Sequence, residues 1–161
     1  MFITWLKSDS VKSNLKTILL MLAVVFAITQ YQQQDMNTGQ APSLEGIDYN
    51  DGPTLVYFWG SWCSICSTTS PFVSTLAQED QRNVVSIALS SGDDEEVNLY
   101  LKKHDYHFST INDDDGQISQ SWGVAVTPSI FVIDTAGEIS YISTGMTSLW
   151  GMKLRLWLAS F

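Results

Sequence analysis

Cys63 and Cys66 are the only cysteines in the 161 residues, and the two positions between them are Ser64 and Ile65. A thiol attacks a disulfide only as its thiolate, and the unpaired N–H groups of a helix's first turn stabilise negative charge placed there. The flanks predict such a setting. Thr54-Leu55-Val56-Tyr57-Phe58-Trp59 is an apolar run of strand-forming residues, and Ser67 to Asp80 carries Phe72, Val73, Leu76 and Ala77, which suits a helix. On a strand-to-helix turn Cys63 is the nucleophile. Cys66, one helical turn on, is placed to resolve the mixed disulfide that Cys63 forms. A merely structural bridge over so short a loop would add little stability.

Two metal readings compete with redox chemistry. His104 and His107 complete a C-x-x-C…H-x-x-H set, but 37 residues intervene and H-x-x-H is tighter than zinc-finger spacing. A solvated helix end accounts for both histidines. The other reading is a Cu(I)-binding module, since a soft ion suits two thiolates. Two acidic runs have simpler explanations. Asp93-Asp94-Glu95-Glu96 fits a helix start, with Asp93 as cap and Glu96 closing a capping box. Asn112-Asp113-Asp114-Asp115-Gly116 fails as a calcium loop, because aligning Gly116 to the sixth position puts Ile111 first and Trp122 twelfth. It is expected to be a turn before a short helix, Gln117 to Trp122. No metal or cofactor is expected.

The elements that must position the cysteines can be read in order. Asn83 to Leu89 is a second buried strand, so strand, helix and strand form a parallel unit. A helix through Val97, Leu99, Tyr100 and Leu101 follows. Ser129–Asp134 and Glu138–Ser143 form an antiparallel hairpin about Thr135-Ala136-Gly137, the second strand being an edge strand with one wet face. A last helix, Ser148 to Ser160, lines up Trp150, Leu154, Trp157 and Phe161 on one side, expected to pack on the sheet. These elements define an α/β domain over residues 53–161.

Residues 1–34 differ in character from the rest. Lys7, Lys12 and Lys16 against Asp9 give this segment +2, whereas the remainder carries −11 of the overall −9. An acidic domain argues against nucleic acid as a partner. After the lysines no charge appears from Thr17 to Gln34, and Leu15 to Tyr31 offers 17 residues, about 25 Å of helix. A basic flank before an apolar stretch is an export signal that leaves the N-terminus in the cytoplasm. An uncleaved membrane anchor is expected, with a cleaved signal at Val25-Phe26-Ala27 as the alternative. Residues 35–52 are polar, with Gly39, Pro42, Gly46 and Gly52, and are expected to be a tether with little regular structure.

Three separated motifs carry a resemblance. Phe58-Trp59-x-x-Trp62-Cys63-x-x-Cys66 resembles the active-site run of the thioredoxin superfamily, Pro71 matches its helix-kinking proline, and Thr127-Pro128 after Gly123-Val124 resembles its cis-proline loop. The closing run Trp150 to Trp157 resembles a narrower group, the membrane-anchored thioredoxin-like D component of the bacterial suppressor-of-copper-sensitivity system. The resemblance implies a three-layer sandwich around a mixed central sheet, preceded by one membrane-anchor helix. It also implies a cis Thr127–Pro128 bond, with Trp62, Thr127 and Pro128 binding an extended segment of a protein dithiol or disulfide substrate. The implied setting is the bacterial inner membrane, single-pass through residues 17–34, with the catalytic domain facing the periplasm. A membrane reductase would be the electron donor, and copper tolerance or envelope redox homeostasis the context. Two positions depart from the pattern. Many thioredoxins have an acid six residues before the first cysteine, where this chain has Tyr57, and related anchored reductases have a Glu after the cis-proline, where Ser129 stands.

Overall fold

The computed structural model describes residues 16–24, 38–79 and 84–161. The chain divides into two compact units, residues 1–34 and 35–161. In the first, residues 16–24 form a helix (α1) whose Ile18, Leu19, Leu20, Met21, Leu22 and Val24 are exposed. Among the described residues no helix is long and apolar enough to cross a membrane. Residues 25–34 of the expected anchor, including the Val25-Phe26-Ala27 cleavage alternative, lie outside the described residues.

In the second unit the elements run β1 (Gly39–Gln40), β2 (Thr54–Trp59), α2 (Cys66–Glu79), β3 (Val84–Leu89), α3 (Asp94–Lys103), β4 (Ser109–Asp113), α4 (Gln117–Ser121), β5 (Ser129–Ile133), β6 (Glu138–Thr144) and α5 (Leu149–Leu158). The strands form one sheet in the order β1-β6-β5-β2-β3-β4. β2, β3 and β4 are parallel, whereas β5 is antiparallel to both β2 and β6, so the sheet is mixed. All six residues of β2 are buried, as a central strand covered on both faces requires.

Alternation along β2 builds the two cores. Leu55, Tyr57 and Trp59 face one way, onto Cys66, Val73, Leu76 and Ala77 of α2, Val97 of α3, Phe108 and Met152 of α5. Val56 and Phe58 face the other, onto Trp122, Phe131, Ile133, Ala41 and Leu44. The β2-α2-β3 and β3-α3-β4 crossovers step outward in one direction. Right-handed crossovers therefore put α2 and α3 on the same face, as the shared core shows. The helix starts follow local chemistry. Asp93 accepts from the Glu96 amide and Glu96 reaches back to the Asp93 amide, the expected capping box. Ser148 caps α5 by accepting from the Gly151 amide at 3.2 Å.

The structure departs from the sequence reading in three places. Residues 39–51, expected to be tether, are folded onto the domain: β1 pairs with β6, Ala41 and Leu44 are buried, and Tyr49 donates to the Pro42 carbonyl at 2.9 Å. Short apolar insertions in a polar segment achieve this without any periodic signal. As a result β6 is not a free edge along its whole length. β4 was not anticipated, since in Ser-Thr-Ile-Asn-Asp two strand formers are followed by Asn and Asp, which strands disfavour; its partner β3 supplies the pairing. The largest departure is α5. Met152 is buried and Leu149 and Leu156 pack on the core, while Trp150, Leu154, Trp157 and Phe161 face outward. Both sides of this helix are apolar, and the smaller side chains are the ones that fit against α2.

Candidate active site

β2 delivers the chain to the C-terminal ends of the parallel strands, where Gly60 to Ile65 turn it into α2. Two tight turns make the change of direction, the Cys63 amide donating to the Gly60 carbonyl and the Cys66 amide to the Cys63 carbonyl, each at 3.1 Å. Cys66 is the first residue of α2. Its amide also donates to Cys63 Sγ at 3.2 Å, so the first-turn N–H of the helix is aimed at the sulfur for which the sequence predicted it. The two sulfurs are joined as a disulfide, with Cα atoms 5.2 Å apart. Cys63 is 8% exposed and Cys66 2%, so an incoming group meets Cys63 first. Trp62 and Ile65 stand exposed on either side.

Trp62 is held from below. Its indole Nε1 donates to the Leu89 carbonyl at 3.2 Å and its ring lies on Gly60, where an added Cβ would come within 2.6 Å of the indole. The Ser61 amide donates to Ser91 Oγ at 2.9 Å, tying the turn to the loop after β3. Thr127–Pro128 is cis. Phe58 pairs with Ser129, which sets Pro128 just beyond β5, level with the end of β2. Trp62, Leu89, Ala125, Val126 and Thr127 line one apolar cleft, so the tryptophan and the Thr127 loop are brought together. Thr127 Oγ1 is buried with no hydrogen-bond partner among the described residues.

Beneath the disulfide sits Tyr57, in place of the acid that the resembled family has there. Its hydroxyl is 2.9 Å from Ser70 Oγ and donates to the Cys66 carbonyl at 3.5 Å. Burial pushes its pKa well above the usual phenol value, against the smaller opposing effect of the Ser70 hydrogen bond. Tyr57 therefore stays protonated at any physiological pH and cannot take the Cys66 proton. Sequence reasoning found this departure but not Ser70, its partner on the next turn of α2. It also missed Gly60 and Ser91, which have no motif; only their neighbours in space give them roles. His104 ends α3 with its ring tilted against Tyr100, 4.4 Å between centroids, and stacked on Tyr106, and His107 pairs with Asp105 at 3.2 Å. No group of three or more His, Cys, Asp or Glu among the described residues is arranged to hold a metal ion.

The Redoxin family model matches residues 27–148, three-quarters of the chain. The chain belongs to the Redoxin family. This redoxin is 46% identical over 134 residues to a thioredoxin-like protein of Haemophilus influenzae, covering 83% of the chain and 78% of that relative. It is 28% identical to the thiol-disulfide oxidoreductase ResA of Bacillus cereus, covering 76% of the chain and 81% of the relative. Among solved structures, a thioredoxin-family thiol:disulfide interchange protein from Chlorobium tepidum superposes with a TM-score of 0.64 at 20% identity, over 76% of this chain and 97% of that one. StoA from Bacillus subtilis superposes with a TM-score of 0.59 at 22% identity, over 76% and 93%. These structures establish the thioredoxin-like fold that the three motifs implied. With the Cys63–Cys66 pair in place, this redoxin is a thiol:disulfide oxidoreductase.

Proposed function

We propose that this redoxin is a membrane-anchored reductase or electron relay, its domain facing the periplasm, that exchanges disulfides with protein substrates through Cys63. The observation that carries this reading is the Cys66 amide on Cys63 Sγ, with the Thr127 loop across the cleft from Trp62. In the reduced protein the same amide stabilises a Cys63 thiolate. An extended substrate segment lies along the Thr127 backbone, with Trp62 against its flank, and presents its disulfide to Cys63. The thiolate attacks one substrate sulfur, forms a mixed disulfide and expels the other as a thiolate. Cys66, after losing its proton to water, attacks Cys63 Sγ and releases the second substrate thiolate. Two electrons pass to the substrate, whose thiolates take up the two protons that the cysteines gave up. The Cys63–Cys66 disulfide that remains is the state described here, and a membrane dithiol donor restores the thiols.

The lysines ahead of the apolar segment support the membrane orientation, and the copper-tolerance setting rests on the narrower resemblance alone. The test is insulin reduction by the full chain. Cys63→Ser is expected to abolish turnover and Cys66→Ser to accumulate mixed disulfide with substrate, resolved on gels without reductant. Retained turnover in the Cys63 variant would refute the assignment. Tight stoichiometric Cu(I) binding without dithiol turnover would make the thiolates a metal site instead. Direction in the cell is read by trapping the thiols with an alkylating reagent: a mostly reduced pair is expected, because a dedicated donor must oppose an oxidising compartment.

A further inference from the structure

Helix α5 is apolar on two opposite sides, and only one of them is covered by the domain. Leu149, Met152, Leu156 and Ala159 turn inward, whereas Trp150 (78% exposed), Leu154, Trp157 (59%) and Phe161 (92%) form a stripe in solvent. A helix apolar on both sides is ordinarily covered on both. Lys153 borders the stripe, its Nζ 5.5 Å from the Trp150 ring centroid and paired with Glu79, and Arg155 has no ion pair among the described residues. From Ile139 to Phe161 the sequence has no Asp or Glu, although residues 35–138 hold 16 of them. Residues 52–78, around the cysteines, are the other long acid-free stretch, but only α5 combines that lack with two cations beside exposed aromatic rings.

The sheet register locates the stripe. Thr54 pairs with Ile133, Ile133 with Ile139, and Ile139 with Gly39, so the chain enters the domain at the end of the sheet opposite Phe58, Ser129 and the cysteines. α2 leads from Cys66 down to Glu79 at that same far end, and Lys153 meets Glu79 there. If residues 17–34 are the anchor, four residues separate Gln34 from Gly39, and they span at most about 17 Å even when fully extended.

We propose that the outward face of α5 lies on an anionic lipid surface, with Trp150, Trp157 and Phe161 in the interfacial zone and Lys153 and Arg155 at the headgroups. This inference rests on the anchor reading above. Aromatic rings with a polar edge favour the membrane interface, and cations beside them favour anionic lipid. α5 itself brings Lys153 and Arg155 and no acid to such a surface, and the one carboxylate beside it, Glu79, is paired with Lys153. Cys63 then stays in water, because α2 alone separates the Cys66 end from Glu79 by about 20 Å.

The experiment is hydroxyl-radical footprinting of the full chain in nanodiscs of phosphatidylcholine and phosphatidylglycerol, loaded at one chain per disc. Labelling of Trp150, Trp157 and Phe161, each normalised to the same chain in detergent-free buffer without lipid, is expected to fall at least about fivefold, while that of Trp62, as exposed as Trp157, stays unchanged. Trp150→Ser combined with Trp157→Ser, both surface changes, is expected to restore Phe161 labelling while leaving the thermal unfolding midpoint in place. Stripe residues as reactive as Trp62 would overturn the proposal. So would protection that appears only with two chains per disc, which would assign the face to a second copy. Alkaline carbonate extraction reports the anchor separately. A chain that stays in the membrane pellet with a reactive stripe sinks the docking alone, and a chain released to the supernatant sinks the anchor and the tether argument with it.

Discussion

Asp113→Asn is the substitution that best tests how the fold supports the site. Asp113 closes β4 and is buried, with Oδ1 accepting from the Ile118 amide at 2.9 Å and Oδ2 from the Ser119 amide at 2.7 Å. Gly116, at the N-cap of α4, offers no side chain, so this carboxylate satisfies the first-turn donors from outside the helix. An asparagine keeps one acceptor oxygen and turns an NH2 group toward the second amide. The loss is one charge-assisted hydrogen bond together with a buried donor left facing another donor. That amounts to about 2–3 kcal/mol, or roughly 10 °C in Tm for a domain of this size. The effect should travel to the cleft. α4 ends in the Val124 amide bonded to the Ser119 carbonyl at 2.9 Å, and the chain then runs directly to Thr127–Pro128. Urea unfolding of the oxidised protein gives the energy, insulin turnover the function, and the alkylation rate of reduced Cys63 the control. Turnover is expected to fall several-fold with Cys63 alkylation unchanged. A stability change under about 0.5 kcal/mol would refute the reasoning, since a doubly used buried carboxylate cannot be so cheaply replaced.

Three further outcomes follow from the site. Gly60→Ala should lift Trp62 off its seat and break its hydrogen bond to Leu89, raising KM for a protein substrate and shifting the tryptophan emission, with little change in stability. Tyr57→Phe should cost about 1 kcal/mol in urea unfolding by removing the buried hydrogen bond to Ser70 Oγ, yet leave the pH dependence of turnover as it was, because the phenol stays protonated throughout that range. Burial raises Tyr49 to about 12 and raises Tyr57 as well. Both phenols hold their protons more tightly folded than unfolded, so their stabilisation is complete below about pH 10 and is lost as pH rises toward the folded values. Urea midpoints should therefore decline above pH 10, and less steeply in Tyr49→Phe.

The central strands and the turn bearing the cysteines were legible because each has a local cause: an unbroken apolar run, a capping box, a Gly within a hairpin turn. Asp93 and Glu96 declared the start of α3 by spacing alone. Asp113 did not declare itself, because the amides it serves lie five and six residues ahead and the acids around it share its composition. Ser70 was hidden in the same way, as one of several small polar residues along α2 until Tyr57 picks it out. For α5 the pattern held two apolar stripes. Ring size pointed to the aromatic one, while the available room beside α2 admitted Met152 and Ala159. β1 and β4 are strands because of their neighbours, and composition alone carries no trace of such borrowing.

The two-residue pairing of Gly39 and Gln40 with Ile139 and Glu138 reaches beyond its size. Unpaired strand edges invite other chains to add to a sheet, and this short lid closes the first stretch of one such edge. Gln40 tightens it by donating from Nε2 to the Gly137 carbonyl at 3.1 Å. Removing residues 38–41 would uncover a ready template, so a truncated protein should self-associate into oligomers through β6 well before its core loosens.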